Sequence, residues 1–396
     1  MTSRRVLVTD GTQRSALAVV RSLGRAGHRV FVCAPRVPSL AGASRFAFAE
    51  AAVCSALDSP SDFVSDVASL IERWRIDVLM PITEPSLLAL LPERNALGVT
   101  IPFPDDAIFR TITNKETVLA AATQLGIATP KQVVLASKAD LGSLDVSLLD
   151  YPIVLKPSRS VGESDGQRKS LGVLHAANAA ALLSAVQSLD DAAFPLLVQQ
   201  RIVGPGIGVF LLLWDGTVRA TFAHRRLREK PVSGGVSVYS ESVAADPELV
   251  ERSRQLLQRM KWRGVAMVEY KLDTQSRVPY LMEVNGRFWG SLQLAIDAGV
   301  DFPALLVAAA AGEPSPRANG YRLGVRSRWW WGDVDQLLSR YRKSAATLAL
   351  PPDAPSRWRA TLDFLRLWRP RDRNDVLRAG DFRPFIRETI DWFHKR

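Results

Sequence analysis

The segment Leu281–Gly290, LMEVNGRFWG, limits the possible folds of this chain more than any other stretch. Alternation along a strand sends Glu283, Asn285 and Arg287 to one face and Met282 and Val284 to the other. A carboxylate, an amide and a guanidinium at two-residue spacing make a poor core face. A solvated strand edge with one salt bridge is the plain reading. The same groups also suit a metal and phosphate. Hard oxygen donors hold Mg²⁺ together with substrate phosphates, and arginine clamps a phosphoryl group with paired hydrogen bonds. The preceding strand, Gly264–Leu272, is joined to Val278–Val284 by a short polar turn, and its Met267, Glu269 and Lys271 share a face. Pairing the two strands brings Glu269 near Glu283. Two carboxylates that close are costly unless a cation lies between them, and a divalent metal supplies one.

With 396 residues the chain is too long for one simple core. Arg4–Asp10 reads as a strand, Ser15–Ala26 as a helix stopped by Gly27, and His28–Ala34 as a second strand. A helix over Asp62–Trp74 and a strand over Asp77–Met80 extend this βαβ start, so residues 1–105 read as an open parallel sheet with covering helices. The first turn lacks G-x-G-x-x-G, which argues against a dinucleotide there. Thr83-Glu84 follows a strand at the end where such sheets hold ligands, although a helix N-cap explains Thr83 equally well.

Further on, Thr113–Leu125 reads as a capped helix with Lys115 in its first turn. The helix dipole disfavours a cation there, so Lys115 is either solvated or aimed at an anion. Tyr151–Pro157 is a strand carrying Lys156. The Ser/Gly-rich run Ser158–Gly172 reads as a loop, either a linker or a cover for phosphates. A helix over Ala176–Leu189 precedes a strand over Leu196–Ile202, a turn at Gly204–Gly208 and a strand over Val209–Trp214. Asp215-Gly216 then signals a hairpin to Val218–Ala223. Residues 224–235 follow as a basic loop with Arg225, Arg226, Arg228 and Lys230, either solvated or gripping a phosphate or carboxylate. Pro247–Met260 is an amphipathic helix.

The net charge is +11, and the excess sits largely beyond Gly312. Such a charge suggests nucleic acid, but no helix-turn-helix, RNP or zinc-finger pattern accompanies it, and nucleic acid is not favoured. Anionic substrates or an acidic membrane surface fit as well. Trp329–Trp331, Arg357–Arg371 and Phe385–Arg396 mix aromatic residues with arginine. Three roles are open for this tail: peripheral membrane contact, packing on the body, or a homodimer contact. Packing or association is favoured because no segment shows a clean apolar face. Cys33 and Cys54 form no C-x-x-C pattern and point to a reducing compartment. Phe302–Gly312 is too short to span a bilayer and the N-terminus lacks an apolar signal core, so a cytoplasmic location is expected.

Taken in order over about residues 1–312, these features resemble the ATP-grasp superfamily. FAHRRLREKPVSGG and MEVNGRFWGSLQLAIDAGVDFP are similar, more narrowly, to its carboxylate–amine ligase branch, related to carbamoyl-phosphate synthetase large chains. The resemblance implies an α/β fold with an N-terminal open parallel α/β domain over 1–105. A two-lobed α+β ATP-grasp domain would follow over 106–312, with lobes at about 106–195 and 196–312. A helical, Trp/Arg-rich extension would occupy 313–396, outside the resemblance. Lys115 and Lys156 would be the nucleotide-binding lysines. Gln199, Gln200 and Ile202, in QQRI, would form the adenine hinge, and Ser160 and Gly162 would belong to a flap over the triphosphate at 158–166. Glu269, Glu283 and Asn285 would hold metal, and Arg287 would steady the transferring phosphate. Arg225 and Arg226, with Arg228, would grip the acid. His224 is the one base candidate, and a structural histidine is the alternative. The hinge lacks the acidic residue that usually bonds ribose, which leaves nucleotide preference open. The implied cofactors are ATP and Mg²⁺, with Mn²⁺ able to stand in. The implied reaction joins a small carboxylate to an amine through an acyl phosphate. A bicarbonate-using carboxylase and a phosphotransferase are the alternatives.

Overall fold

The computed structural model describes residues 2–394 apart from 147–148, 165–166, 315–319, 346, 351–353 and 367–368. Parts of the Ser/Gly run and of both Arg-rich tail segments therefore lie outside the described residues.

The first layer is a parallel sheet. It contains β1 (Arg5–Val8), α1 (Arg14–Arg25), β2 (Arg29–Ala34), β3 (Ala47–Ala52), α2 (Pro60–Trp74) and β4 (Val78–Met80), with strand order β3-β2-β1-β4. Helices cover it, which is why β1, β2 and β4 are apolar along nearly their whole length. Four helices lead away from it: α3 (Glu84–Leu90), α4 (Arg94–Leu97), α5 (Asp106–Thr113) and α6 (Lys115–Gln124). Thr83 caps α3 by accepting from Ser86 N–H, and Asn114 caps α6 by accepting from Thr117 N–H.

The second layer is a small antiparallel sheet. Its strands are β5 (Gln132–Leu135), β6 (Ile153–Pro157), β9 (Leu174–Ala176) and β10 (Leu196–Gln200), in the order β5-β10-β6-β9. Between β6 and β9 the chain forms a hairpin of β7 (Val161–Ser164) and β8 (Gln167–Ser170), so the Ser/Gly run is more ordered than a loop. α7 (Ala179–Ser188) packs on this sheet, and Leu155, Leu182, Val186 and Val198 give it a core of its own. Ala176, read from sequence as helical, closes β9 instead.

The third layer is the largest. It comprises β11 (Gly206–Trp214), β12 (Thr217–Lys230), β13 (Val236–Ser242), α8 (Pro247–Arg259), β14 (Gly264–Leu272) and β15 (Pro279–Asn285). After α9 (Leu292–Ala298) and α10 (Phe302–Ala310) the chain returns to the same sheet through β16 (Arg326–Arg328). The remaining elements are α11 (Trp330–Arg342), α12 (Arg357–Leu365), β17 (Asp372–Asn374) and α13 (Arg383–His394). The seven strands run β15-β14-β11-β12-β13-β16-β17. The helical tail thus contributes two short strands, which its Arg-rich sequence gave no sign of. Asp215 and Gly216 adopt φ of 49° and 72° at the β11–β12 hairpin, the left-handed pair that a tight turn between twisted strands requires.

The basic run 224–235 is not a loop. β12 continues through it to Lys230, and β13 begins at Val236. The charges that made it look solvated are paired. Arg225 bonds Glu241, Arg226 bonds Glu229 and Glu269, Arg228 bonds Asp333, and Lys230 bonds Asp335. The partners on α11 lie some hundred residues away in the chain, beyond the reach of local pattern reading. Among the described residues, no single helix is long and apolar enough to cross a membrane.

Candidate functional site

The site grows from the pairing of β14 with β15. The two strands are antiparallel with Glu269 directly opposite Glu283. A register shift follows, because Tyr270 pairs with Leu281 and Met282 is the extra residue. A bulge of this kind re-aims a side chain. Met282 therefore lines the cavity beside Glu283, with its sulfur 3.9 Å from Lys156 Nζ, instead of sharing the opposite face with Val284 as alternation alone suggests.

The cavity measures about 350 Å³ and lies between the small sheet and the large one. Lys115, at the start of α6, is almost wholly buried. Its Nζ lies 3.1 Å from Ser160 Oγ and 3.7 Å from Glu283 Oε2, and its backbone N–H donates to Ser158 O at 2.8 Å. The helix start and the base of the β7–β8 hairpin are thereby tied together. Lys156, mid-strand on β6, enters from the other side. Burial lowers its ammonium to about 8 against the opposing pull of Glu283 and Glu269. Gln199, Gln200 and Ile202 form the rear edge. The Gln199 amide donates to Gln132 Oε1 at 2.9 Å, so this side chain is already committed within the small sheet.

The two carboxylates are electrostatically unequal. Burial raises the Glu269 carboxyl, and Glu283 adds to this, although Arg226 pulls the other way. Burial also works against ionisation of Glu283, but Lys115 and Lys156 outweigh it and hold that carboxyl near 2. Asn285 Nδ2 donates to Glu283 Oε1 at 3.0 Å, and Arg287 Nη2 donates to Asn285 Oδ1 at 3.3 Å. The Glu269, Glu283 and Asn285 oxygens are the hard donors Mg²⁺ prefers, so they fit that ion. No cluster of three His, Cys, Asp or Glu side chains suited to a metal occurs among the described residues. Mg²⁺ commonly completes its shell with substrate phosphates and water.

Of the residues singled out from sequence, Lys115, Lys156, Ser160, Gln199, Gln200, Ile202, Arg226, Glu269, Glu283, Asn285 and Arg287 all line this cavity. Arg225 does not. It neighbours Arg226 on a strand, so it points the opposite way, and its guanidinium is held by Glu241 at 2.9 Å. Arg228 is likewise drawn off, to Asp333. Gly162 lines a second cavity of about 390 Å³ behind the hairpin. A Cβ there would come within 2.6 Å of Ala192 O, so the hairpin base packs closely on residues 190–193. His224 is fully buried against Phe210, burial holds its imidazole well below the usual range, and it lies outside the cavity lining. Its Nδ1 lies 3.3 Å from Oγ of Ser291, which does line the cavity, so His224 sits behind that wall.

Some residues at or beside the cavity were named from sequence without an assigned role (Glu84, Lys271, and Trp289 as either an anchor of its turn or a floor of the acceptor pocket), and others escaped it. Lys271 shares the face of Glu269, a signal that strand alternation already carried. Glu229 emerges only once β12 is known to be a strand, and Ser237 only once β13 is. His175 reaches the cavity from β9, with its imidazole lowered to about 4 by burial and by Arg201, Lys271 and Lys156. Trp289 lines the cavity with its indole N–H buried and without a hydrogen-bond partner among the described residues. Gly206 on β11 leaves room for the Arg226 stem, since a Cβ there would lie 2.9 Å from Arg226 Cδ. Glu84, at the start of α3, is buried near Arg287, Lys115 and Glu283, and burial raises its carboxyl.

These lysines and this carboxylate pair sit in a fold of the ATP-grasp type. Residues 193–330 match the family model described as ATP-grasp in the biosynthetic pathway with Ter operon. Solved structures share the fold. The L-amino acid ligase of Bacillus licheniformis superimposes with a TM-score of 0.63 at 18% identity, over 81% of this chain and 78% of that one. The N5-carboxyaminoimidazole synthetase of Staphylococcus aureus gives 0.62 at 14% identity, over 82% and 80%. The biotin carboxylase domain of Hydrogenobacter thermophilus 2-oxoglutarate carboxylase, solved with MgADP, ADP and bicarbonate, gives 0.63 at 15% identity, over 82% and 74%. No curated protein sequence matches the chain.

Proposed function

We propose that this chain is an ATP-dependent ligase that joins a small carboxylate to an amine, releasing ADP and phosphate. One observation carries the reading. Glu269 and Glu283 face each other across β14 and β15 inside a cavity that also receives Lys115, Lys156 and Arg287. Lys115 and Lys156 hold the nucleotide phosphates, and Gln199, Gln200 and Ile202 border the adenine. Glu269, Glu283 and Asn285 would hold Mg²⁺, which would supply neutralisation of the phosphate charge. A substrate carboxylate oxygen attacks the γ-phosphorus, the bond to the β-phosphate oxygen breaks, and ADP leaves. The amine nitrogen then attacks the acyl carbon, the C–O bond to phosphate breaks, and the nitrogen gives up a proton as the amide forms. Phosphoryl transfer of this kind is governed by positioning and electrostatics, so the cationic cage is the catalyst. Arg226 and Arg287 grip the acid and its phosphorylated form, and the β7–β8 hairpin shields it from water.

Domain limits of 1–105, 106–312 and 313–396 belong to this reading. ATP use and the free thiols of Cys33 and Cys54 support a cytoplasmic location. A carboxylase that takes bicarbonate as its acid is the second reading, favoured by the bicarbonate in the Hydrogenobacter thermophilus structure. An ADP-release screen of small acids and amines, singly and in pairs, tests both. The ligase reading requires release that depends on an acid–amine pair. Release that depends on bicarbonate would replace it with the second.

A further inference from the structure

α12 and α13 both pack against α11, and each does so with one face. On α12 the Phe364 ring lies 5.5 Å from that of Trp330, and Thr361 Oγ1 is 2.7 Å from Tyr341 Oη. On α13 Trp392 stacks on Trp331 at 4.2 Å, Thr389 Oγ1 accepts from the Trp331 indole at 2.9 Å, and Glu388 accepts from the Trp329 indole at 2.6 Å. Next to that packing face, each helix has a second apolar stripe that stays largely exposed, with the Phe393 ring meeting the edge of Trp331 at 5.8 Å. Trp358, Leu362 and Leu365 lie at i, i+4 and i+7 of α12 and are 70%, 45% and 58% exposed. Ile386, Ile390 and Phe393 repeat the spacing on α13 at 48%, 43% and 62%, and Phe382 just ahead of the helix adds 57%.

Beside each stripe, on the side away from the packing face, runs a row of arginines: Arg359 and Arg366 on α12, Arg383 and Arg387 on α13. Acids stand beyond those rows, Asp363 at 3.6 Å from Arg366 and Asp391 bonded to Arg387. The apolar stripe therefore meets cationic side chains before it meets any carboxylate. An aromatic residue stands at one end of each stripe, Trp358 and Phe393. Apolar stripe, arginine edge and aromatic ends are what an amphipathic helix presents to a lipid interface.

We propose that the exposed stripes of α12 and α13 are docking elements for an anionic lipid surface, each stripe entering the headgroup boundary and its arginines meeting the lipid phosphates. None of the stripe residues lines the nucleotide cavity. A peripheral protein of this kind would sit on the cytoplasmic leaflet, whose anionic lipids attract basic segments.

Vesicle co-sedimentation of the full chain tests this. Vesicles of phosphatidylcholine mixed with phosphatidylglycerol should carry the protein down, vesicles of phosphatidylcholine alone should not, and added salt should release it. Trp358→Ser combined with Phe393→Ser should cut the partition at least ~10-fold. Arg359→Glu combined with Arg383→Glu should weaken binding to the anionic vesicles alone. Absence of sedimentation with the phosphatidylglycerol vesicles overturns the proposal. So does a concentration-dependent dimer that the Trp358→Ser and Phe393→Ser pair dissociates, since a second copy would then own the face.

Discussion

Glu269 and Glu283 stand directly opposite each other on β14 and β15, and each is answered by its own cation: Arg226 on Glu269, Lys115 on Glu283. The proposed metal site is thus already polarised in the free protein. Substituting Glu283 by Gln removes one hard ligand and the counter-charge of both lysines. ATP turnover should fall by ~10²-fold or more, and Glu269→Gln should behave likewise. MgATP should raise the melting temperature of the native protein and not of Glu283→Gln. Thermal-shift titration beside an ADP-release assay checks both effects.

Lys156 gives the site a pH limit. Its ammonium is lowered to about 8 by burial, so raising the pH above that value removes the charge that the phosphates need. The kcat/KM for ATP reports the free enzyme, and it should fall on the alkaline side with an apparent pKa near 8. Lys156→Arg keeps its charge throughout and should abolish that limb, even if its plateau is lower. A pH–rate profile of both forms decides it.

Arg225 and Arg226 are adjacent in sequence and should differ widely in effect. Arg226 is buried against Glu229 and Glu269 inside the cavity, whereas Arg225 is half-exposed on the other face with Glu241. Arg226→Ala should cost ~10²-fold in kcat/KM. Arg225→Ala should stay within about threefold of wild type, as expected of a partly exposed ion pair.

Asp333 is fully buried and accepts from Arg228 Nε at 2.7 Å as well as from Arg328. Replacing it by Ala leaves two guanidinium groups without their carboxylate. The expected loss is ~3–5 kcal/mol of stability, read as a lower denaturant midpoint. The tail is thus clamped to the strand that carries Arg226, and its removal should disturb the site.

The carboxylate pair was legible because it needs only period-two alternation and a short turn. Lys115 and Lys156 stood out as cations where local rules disfavour them. β12 was not legible beyond Ala223, since the residues that neutralise its charges lie on β13, β14 and α11. The bulge at Met282 depends on strand register, which alternation cannot supply. The exposed stripes of α12 and α13 were hidden for another reason. Each helix carries two apolar faces, one packed and one open, so its sequence shows no single clean face.

Oxygen transfer tests the central claim most directly. A substrate acid labelled with ¹⁸O in its carboxylate, supplied with ATP, Mg²⁺ and its amine partner, should pass one labelled oxygen to the released phosphate. That follows because the acyl phosphate breaks at the acyl carbon. Release of phosphate without label from the acid, or label arriving only from bicarbonate, would contradict a carboxylate–amine ligase.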